Sequence, residues 1–391
     1  MKVYGETNGC MSAKTDVGLL QSRFSGKGFE PTEDLAGADV IVYNVCAFTG
    51  FALDRAVSRY MEIWIQRKPG SEIVVTGCGV AQDTKIREKM PGADHYIPLT
   101  DLPKLGEILG LDGIEKEVPK HQEGNRLNLK IENGCTSMCA FCAIPNGRGK
   151  LRSYHVDSIV EATKEFVERN SGSEINLVGE DVGAYGLDIG TNIIELLKTM
   201  EAIEGDFKVK MDVLNPWWFL RYKNLAETIA EGVESGKIIP YFGMPLQSGS
   251  NRILKLMRRH YTREDYEGIL EELERKIPEI EVATDVIVGF PAETEEDFME
   301  TFEVLARHRF AYYGVWGYSE REKTEALGMT KKVAPKTIRE RTETLLALII
   351  TQQMEKHGCA SLEEFHRKLE ESGERIPVSI NDRQLFAGGD I

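Results

Sequence analysis

Residues 134–142 read GCTSMCAFC, and the fold is decided by what surrounds this loop. Cys135, Cys139 and Cys142 stand at CxxxCxxC spacing, with Phe141 just before the third cysteine. The preceding residues, 127–132, read as a strand. The loop therefore leaves the carboxyl end of a strand, which in a parallel α/β barrel is the face where active sites are built.

Downstream, strands are predicted over residues 174–178, 208–213, 238–244, 281–288 and 311–316. Helices fit between and after them, over 156–170, 193–203, 225–236, 251–259, 263–276 and 295–308. Six βα units in about 225 residues predict a partial (β/α)6 barrel, since a closed eight-unit barrel takes about 250 residues. A long helix over 335–357 completes a domain of residues 126–350. Residues 351–391 follow as an acidic tail of no assigned role, with five basic against eight acidic side chains.

Upstream, residues 110–125 are charged, carry Pro119 and Gly124, lack periodicity and read as a linker. Before them lies a first domain, residues 1–110. A short strand over 2–6 precedes a helix over 15–29. DVIVYNVC (39–46) and EIVVTGC (72–78) are apolar runs of the kind buried on both sheet faces, separated by a helix over 53–66. The expected fold is α/β throughout: an N-terminal parallel αβ sandwich, the partial barrel and the short tail.

The 391 residues carry 48 basic and 63 acidic side chains, a net charge of −15, which excludes general attraction to phosphate backbones and leaves any nucleic-acid contact to local patches. No apolar run is long enough to cross a membrane, so a soluble, cytoplasmic protein is expected. Of seven cysteines, six fall into two sets of three. In a reducing compartment such groups are more often metal ligands or catalytic thiols than disulfides. Cys10, Cys46 and Cys78 each lie at the carboxyl end of an N-terminal strand, where open α/β sheets bind ligands. They read either as small hydrophobes closing strands or as three thiolates converging on one metal centre. The loop triad can hold three irons of a [4Fe–4S] cube, leaving the fourth open to S-adenosylmethionine, or it can be a zinc loop. Cys359 is left over.

These motifs resemble the radical S-adenosylmethionine methylthiotransferases over roughly residues 1–350. The resemblance is carried by NGC (8–10), YNVCA (43–47), VVTGC (74–78), IPNGRG (144–149), PLQSGS (245–250), LKLMRRHYTREDY (254–266) and TDVIVGFPAETEEDF (284–298). GEDVGAYGLDIGTN (179–192), with RGKLRSY (148–154), is most similar to the archaeal and eukaryotic branch acting on N6-threonylcarbamoyladenosine beside the tRNA anticodon. The resemblance implies two [4Fe–4S] clusters, the second on Cys10, Cys46 and Cys78 carrying or relaying sulfur. It also implies two uses of S-adenosylmethionine, as methyl donor and as radical source. The sequence departs from the family pattern at Ala13, usually asparagine, and at YSEREKTEA (318–326), usually YSPRPGTPA. The family usually ends in a small RNA-binding β-barrel, for which residues 351–391 are too few.

On this resemblance Glu180 and Asp181 are candidates for the adenosylmethionine amino group, Gln247 and Asp285 for sugar or substrate contacts, and Gly289 for close approach of the adenine. Arg148, Arg152, Arg258 and Arg259 are candidates for tRNA phosphates, and Trp217 and Trp218 for stacking on a base. An external one-electron donor and a sulfur source are required. The alternatives are the same chemistry on a protein side chain or small metabolite, or a two-cluster redox protein without catalysis.

Overall fold

The computed structural model describes residues 1–25, 28–111, 113–381 and 383–384. Five strands, β1 (Lys2–Thr7), β2 (Glu30–Pro31), β3 (Val40–Asn44), β4 (Glu72–Gly77) and β5 (His95–Pro98), form an all-parallel sheet in the order β2-β1-β3-β4-β5. Every residue of β3 is buried, because helices cover both sheet faces. One face packs Leu19, Leu20 and Phe24 onto Val40, Val42 and Val74, while the other packs Leu53, Tyr60 and Ile63 onto Ile41, Tyr43 and Val75. The first helix spans Met11–Ser25, starting four residues before its expected position, directly after Cys10.

The second sheet is an open arc. β6 (Lys120–Glu123) runs antiparallel to β7 (Arg126–Lys130), so part of the expected linker is an edge strand of the barrel. After the short hairpin β8 (Glu132–Asn133) and β9 (Arg152–Ser153) come β10 (Ser173–Val178), β11 (Phe207–Met211), β12 (Tyr241–Gly243), β13 (Glu281–Val288) and β14 (Tyr312–Gly317). β7, β10 and β11 pair in parallel, as do β12, β13 and β14. The halves are joined by the bridges Val209↔Ile238 and Val213↔Gly243. β12 is shorter than expected because Pro240 and Pro245 bracket it and supply no N–H to a ladder. β13 alternates in burial along its length, which turns Asp285 and Ile287 to the less buried face.

Residues after 351 are more than a tail. The long helix Pro335–Lys356 is followed by helix Leu362–Ser372 and by β15 (Val378–Ile380), which pairs in parallel with β14. β16 (Arg383–Gln384) closes this edge as an antiparallel strand. The acidic residues that suggested a solvated tail lie on a helix whose apolar Phe365 and Leu369 are buried. No helix among the described residues is long and apolar enough to cross a membrane.

Candidate active site

The two domains meet carboxyl edge to carboxyl edge. Asn8 ties two of the N-terminal cysteine loops together: its Oδ1 accepts from Cys46 N at 2.9 Å, and its Nδ2 donates to Ala52 O at 2.9 Å. Cys10 closes the first turn of its helix by accepting Ala13 N at 2.9 Å through its carbonyl, and Cys78 opens helix Cys78–Gln82 directly after β4. Cys10, Cys46 and Cys78 are thus brought to one place, close enough that each of the other two thiols raises the pKa of Cys78. Burial is the larger cause, and the Cys78 thiol is pushed up to about 12.

Across the seam, the 134–142 loop is held by Ala140, whose N–H donates to Met257 O at 3.0 Å and whose carbonyl accepts from Ala326 N at 2.9 Å. Three donors point at its sulfurs: Ser137 N to Cys135 Sγ at 3.3 Å, Ile144 N to Cys142 Sγ at 3.4 Å, and Arg259 Nη1 to Cys139 Sγ at 3.3 Å. Burial pushes the Cys142 thiol up to about 12 and raises Cys135 as well. Such thiols ionise only against a bound cation, so metal loading would release protons. Among the described residues, no three His, Cys, Asp or Glu side chains stand close enough to share one ion.

A cavity of about 330 Å³ opens on the barrel triad. Its lining includes all three loop cysteines, with Glu180, Asp181, Gln247 and Asp285 on the barrel side and Phe48 from the N-terminal domain. Asp181 is 4% exposed; its Oδ1 accepts from Trp218 Nε1 at 2.8 Å, and its Oδ2 has no partner. Burial pushes its carboxyl up to about 6. Asp285 Oδ1 accepts from Trp316 Nε1 at 2.7 Å, and burial raises its pKa. Gln247 is held at φ 66, with its Oε1 buried and unpartnered. Two anionic groups and two unsatisfied oxygens in one cavity form an acceptor set for a cationic, donor-rich ligand.

Several expected roles are corrected. Glu180 lines the cavity, yet its Oε1 accepts from Ser12 Oγ at 2.6 Å and forms an ion pair with Arg148 Nε at 2.8 Å, while its Oε2 accepts from Gly134 N at 2.8 Å. It joins the domains with oxygens already occupied. Arg148 is not a surface phosphate ligand: it is buried between Asp16 and Glu180. Asp16 also pairs with Lys130, and burial, which would raise its carboxyl, is outweighed by the two cations. Arg259 faces the cluster loop and the cavity rather than solvent. Gly289 is packed against Ile338, since a Cβ there would stand 2.3 Å from Ile338 Cγ1, so the turn itself requires glycine at φ 75. Trp218 is buried and orients Asp181, so it offers no free stacking face, and Trp217 is half-buried, packed against the core beside His260.

Arg258 is exposed and pairs with Glu325 at 2.5 Å. Neighbouring cations are paired as well, Arg252 with Asp297 and Arg263 with Glu267 and Glu303. Arg152 is half-buried over the Tyr154 ring. Most of the 179–192 segment is scaffold: Tyr185 Oη donates to Tyr154 O at 2.8 Å, Asp188 accepts from Ser153 N at 2.9 Å and Asn192 caps the next helix. Cavity residues that escaped the sequence reading include Phe48 and Trp316, whose rings meet edge-on at 5.7 Å across the seam. Their positions, two residues after Cys46 and at the carboxyl end of β14, were the available signal.

Fold and site together define an α/β enzyme with a cysteine triad on each side of a shared seam. Residues 129–305 match the Radical SAM superfamily and residues 2–98 the Uncharacterized protein family UPF0004. The threonylcarbamoyladenosine tRNA methylthiotransferase MtaB of Aquifex aeolicus is 35% identical over 89% of this chain and 88% of its own length. The "Probable threonylcarbamoyladenosine tRNA methylthiotransferase" of Methanocaldococcus jannaschii is 32% identical over 88% of this chain and 82% of its own. The ribosomal protein uS12 methylthiotransferase RimO of Aquifex aeolicus is 32% identical over 89% and 79%. Among solved structures, the radical S-adenosylmethionine methyltransferase TsrM from Kitasatospora setae shares the fold, with TM-score 0.62 and 12% identity over 83% of this chain and 75% of that one. The chain belongs to the radical S-adenosylmethionine methylthiotransferase family, enzymes that insert a methylthio group using S-adenosylmethionine and two [4Fe–4S] clusters.

Proposed function

We propose that the enzyme converts N6-threonylcarbamoyladenosine, beside the anticodon of tRNA, to its 2-methylthio derivative. The observation that carries this reading is the 35% identity, over 88% of its length, to the Aquifex aeolicus relative named for threonylcarbamoyladenosine tRNA. Cys135, Cys139 and Cys142 would hold the radical-generating cluster, and Cys10, Cys46 and Cys78 the sulfur-handling one. When bound, these clusters and S-adenosylmethionine supply the electron, the hydrogen-abstracting radical and the methylated sulfur.

The chain's own residues bind, orient and exclude water. Asp181, fixed by Trp218, offers its free Oδ2 to the adenosylmethionine amino group, and Gln247 and Asp285 offer acceptors to the remaining donors. Phe48, Ile287 and Trp316 give the cavity an apolar wall against solvent. A base stacked in an RNA loop has to be turned out to reach this depth. Phe48, 49% exposed at the seam, offers it a ring face. The electron and the sulfur come from external partners, and the setting is the cytoplasm, where such thiols stay reduced.

A second reading, methylthiolation of a protein side chain, is favoured by the 32% identity to the uS12-modifying relative and by the net charge of −15. The test is mass spectrometry after reconstituted enzyme acts on threonylcarbamoylated tRNA and, separately, on a uS12 peptide. Modified nucleoside with an untouched peptide supports the first reading, and the reverse installs the second.

A further inference from the structure

Arg148 sits in the seam between the triads with one donor to spare. It ends helix Ile144–Arg148, which starts two residues after Cys142. The preceding Gly147 lies against the other triad: a Cβ there would stand 2.9 Å from Cys78 Cβ and 2.8 Å from Gln82 Nε2. The approach exists only because position 147 has no side chain.

Arg148 itself is 4% exposed. Its Nε forms an ion pair with Glu180 Oε1 at 2.8 Å, and its Nη1 donates to Asp16 Oδ2 at 2.8 Å and Asn133 Oδ1 at 2.9 Å. Its Nη2 is buried and has no partner. A buried charged donor left unpaired is costly, so a bound group is the natural acceptor. The neighbouring acids are engaged elsewhere as well, Asp16 by Lys130 and Glu180 by Ser12 and Gly134 N. Ser12 and Asp16 belong to the helix that starts directly after Cys10, so the guanidinium is anchored on the N-terminal triad's own frame. Of the thiols around Arg148, those of Cys78 and Cys10 interact with its charge most strongly.

We infer that Arg148 is a positioning residue of the N-terminal sulfur centre: its Nη2 donates a hydrogen bond to a sulfur atom of the cluster on Cys10, Cys46 and Cys78 and fixes that centre against the barrel. This rests on the reading that the N-terminal triad holds a cluster. A hydrogen bond from a cation to cluster sulfur favours the more negative, reduced state and raises the reduction potential.

The test uses the full chain with Cys135→Ala, Cys139→Ala and Cys142→Ala, reconstituted so that the N-terminal cluster stands alone. In an EPR-monitored redox titration, Arg148→Gln is expected to move the potential negative at unchanged iron content, and Arg148→Lys to recover part of the shift. An unchanged potential in a fully loaded Arg148→Gln protein overturns the inference and leaves a salt bridge with a structural role alone. Since Arg148→Gln leaves two buried carboxylates short of a partner, a second measurement keeps the arginine. The same triple variant, carrying nitrogen-15-labelled arginine, is expected to show a nitrogen-15 coupling to the reduced cluster in pulsed EPR. A loaded, labelled protein without that coupling overturns the inference. A triple variant that binds no iron overturns the reading of the N-terminal triad, and this inference with it.

Discussion

In the barrel triad, three cysteines share one nine-residue loop, residues 134–142, and their sulfurs accept hydrogen bonds from Ser137, Ile144 and Arg259. The N-terminal triad takes one cysteine from the end of each of three neighbouring strands, β1, β3 and β4, which pair in register over Val3–Thr7, Val40–Asn44 and Glu72–Thr76. The first arrangement is set by a loop and its immediate supports; the second is set by a sheet. Access differs at one ligand, because Cys10 is exposed whereas Cys46, Cys78 and the loop cysteines are all partly buried, the last three opening on a cavity. On the proposed division, a radical source has to be shielded and a sulfur-receiving centre has to be reached, and the exposed Cys10 suits the second demand.

The division breaks most visibly if the barrel triad is removed. Replacing Cys135, Cys139 and Cys142 with alanine is expected to abolish formation of 5′-deoxyadenosine and to lower iron from about eight to about four per chain, as two four-iron clusters require. Iron analysis and single-turnover chromatography check both. Full iron content in that variant would sink the assignment.

The reciprocal substitution of Cys10, Cys46 and Cys78 should also leave about four irons, with 5′-deoxyadenosine formation within a few-fold of the parent and no methylthiolated product. Mass spectrometry of the RNA, run beside the cleavage assay, separates the two steps. Loss of cleavage in a folded variant would mean the triads act as one unit.

A third prediction sharpens the cavity side of the comparison. The Asp181 carboxyl, raised to about 6 by burial, is neutral well below that pH and anionic above it. A cationic amino group should therefore bind more tightly as pH rises through about 6, whereas a depressed carboxyl would already be anionic and leave binding flat over this range. Asp181→Asn should flatten this dependence and weaken adenosylmethionine binding at neutral pH by about tenfold to a hundredfold, the worth of one charge-assisted hydrogen bond. Equilibrium binding across pH 5–8 reads both. A pH-dependence that persists in Asp181→Asn assigns the titration elsewhere.

How much of this was legible in sequence follows the same contrast. The loop triad is local, and its spacing marks it as a metal-binding candidate, with an iron–sulfur cluster and a zinc loop both open until the family resemblance is added. The N-terminal triad was legible because all three cysteines terminate strands, a regularity that survives without knowing the fold. What escaped were contacts with no local signature. Arg148, in a basic stretch, read as a phosphate ligand; only tertiary structure shows Asp16 and Glu180 converging on it from two domains. Glu180 read as a ligand-binding acid for the same reason. Lys120–Glu123 and Val378–Ile380 are too short and polar to announce themselves as strands, and they join the barrel by pairing with edges that were already there.

The smallest expected effect tests the RNA-facing rim of the barrel triad. Arg258 directly follows Met257, whose carbonyl holds the cluster loop through Ala140 N, so its side chain stands outside that loop. Its side chain is 48% exposed, and its pairing with Glu325 is a surface ion pair, worth about 0–1 kcal/mol and readily exchanged for a phosphate. Arg258→Glu should weaken tRNA binding by about threefold to tenfold and reduce the slope of log affinity against log salt by about one contact's share. Glu325→Gln releases the arginine and should shift affinity the other way. Both variants should keep their iron and their adenosylmethionine cleavage, because neither residue lines the cavity. Filter binding at three salt concentrations decides: opposite shifts place RNA on the cluster-loop rim, and two unchanged affinities move it elsewhere.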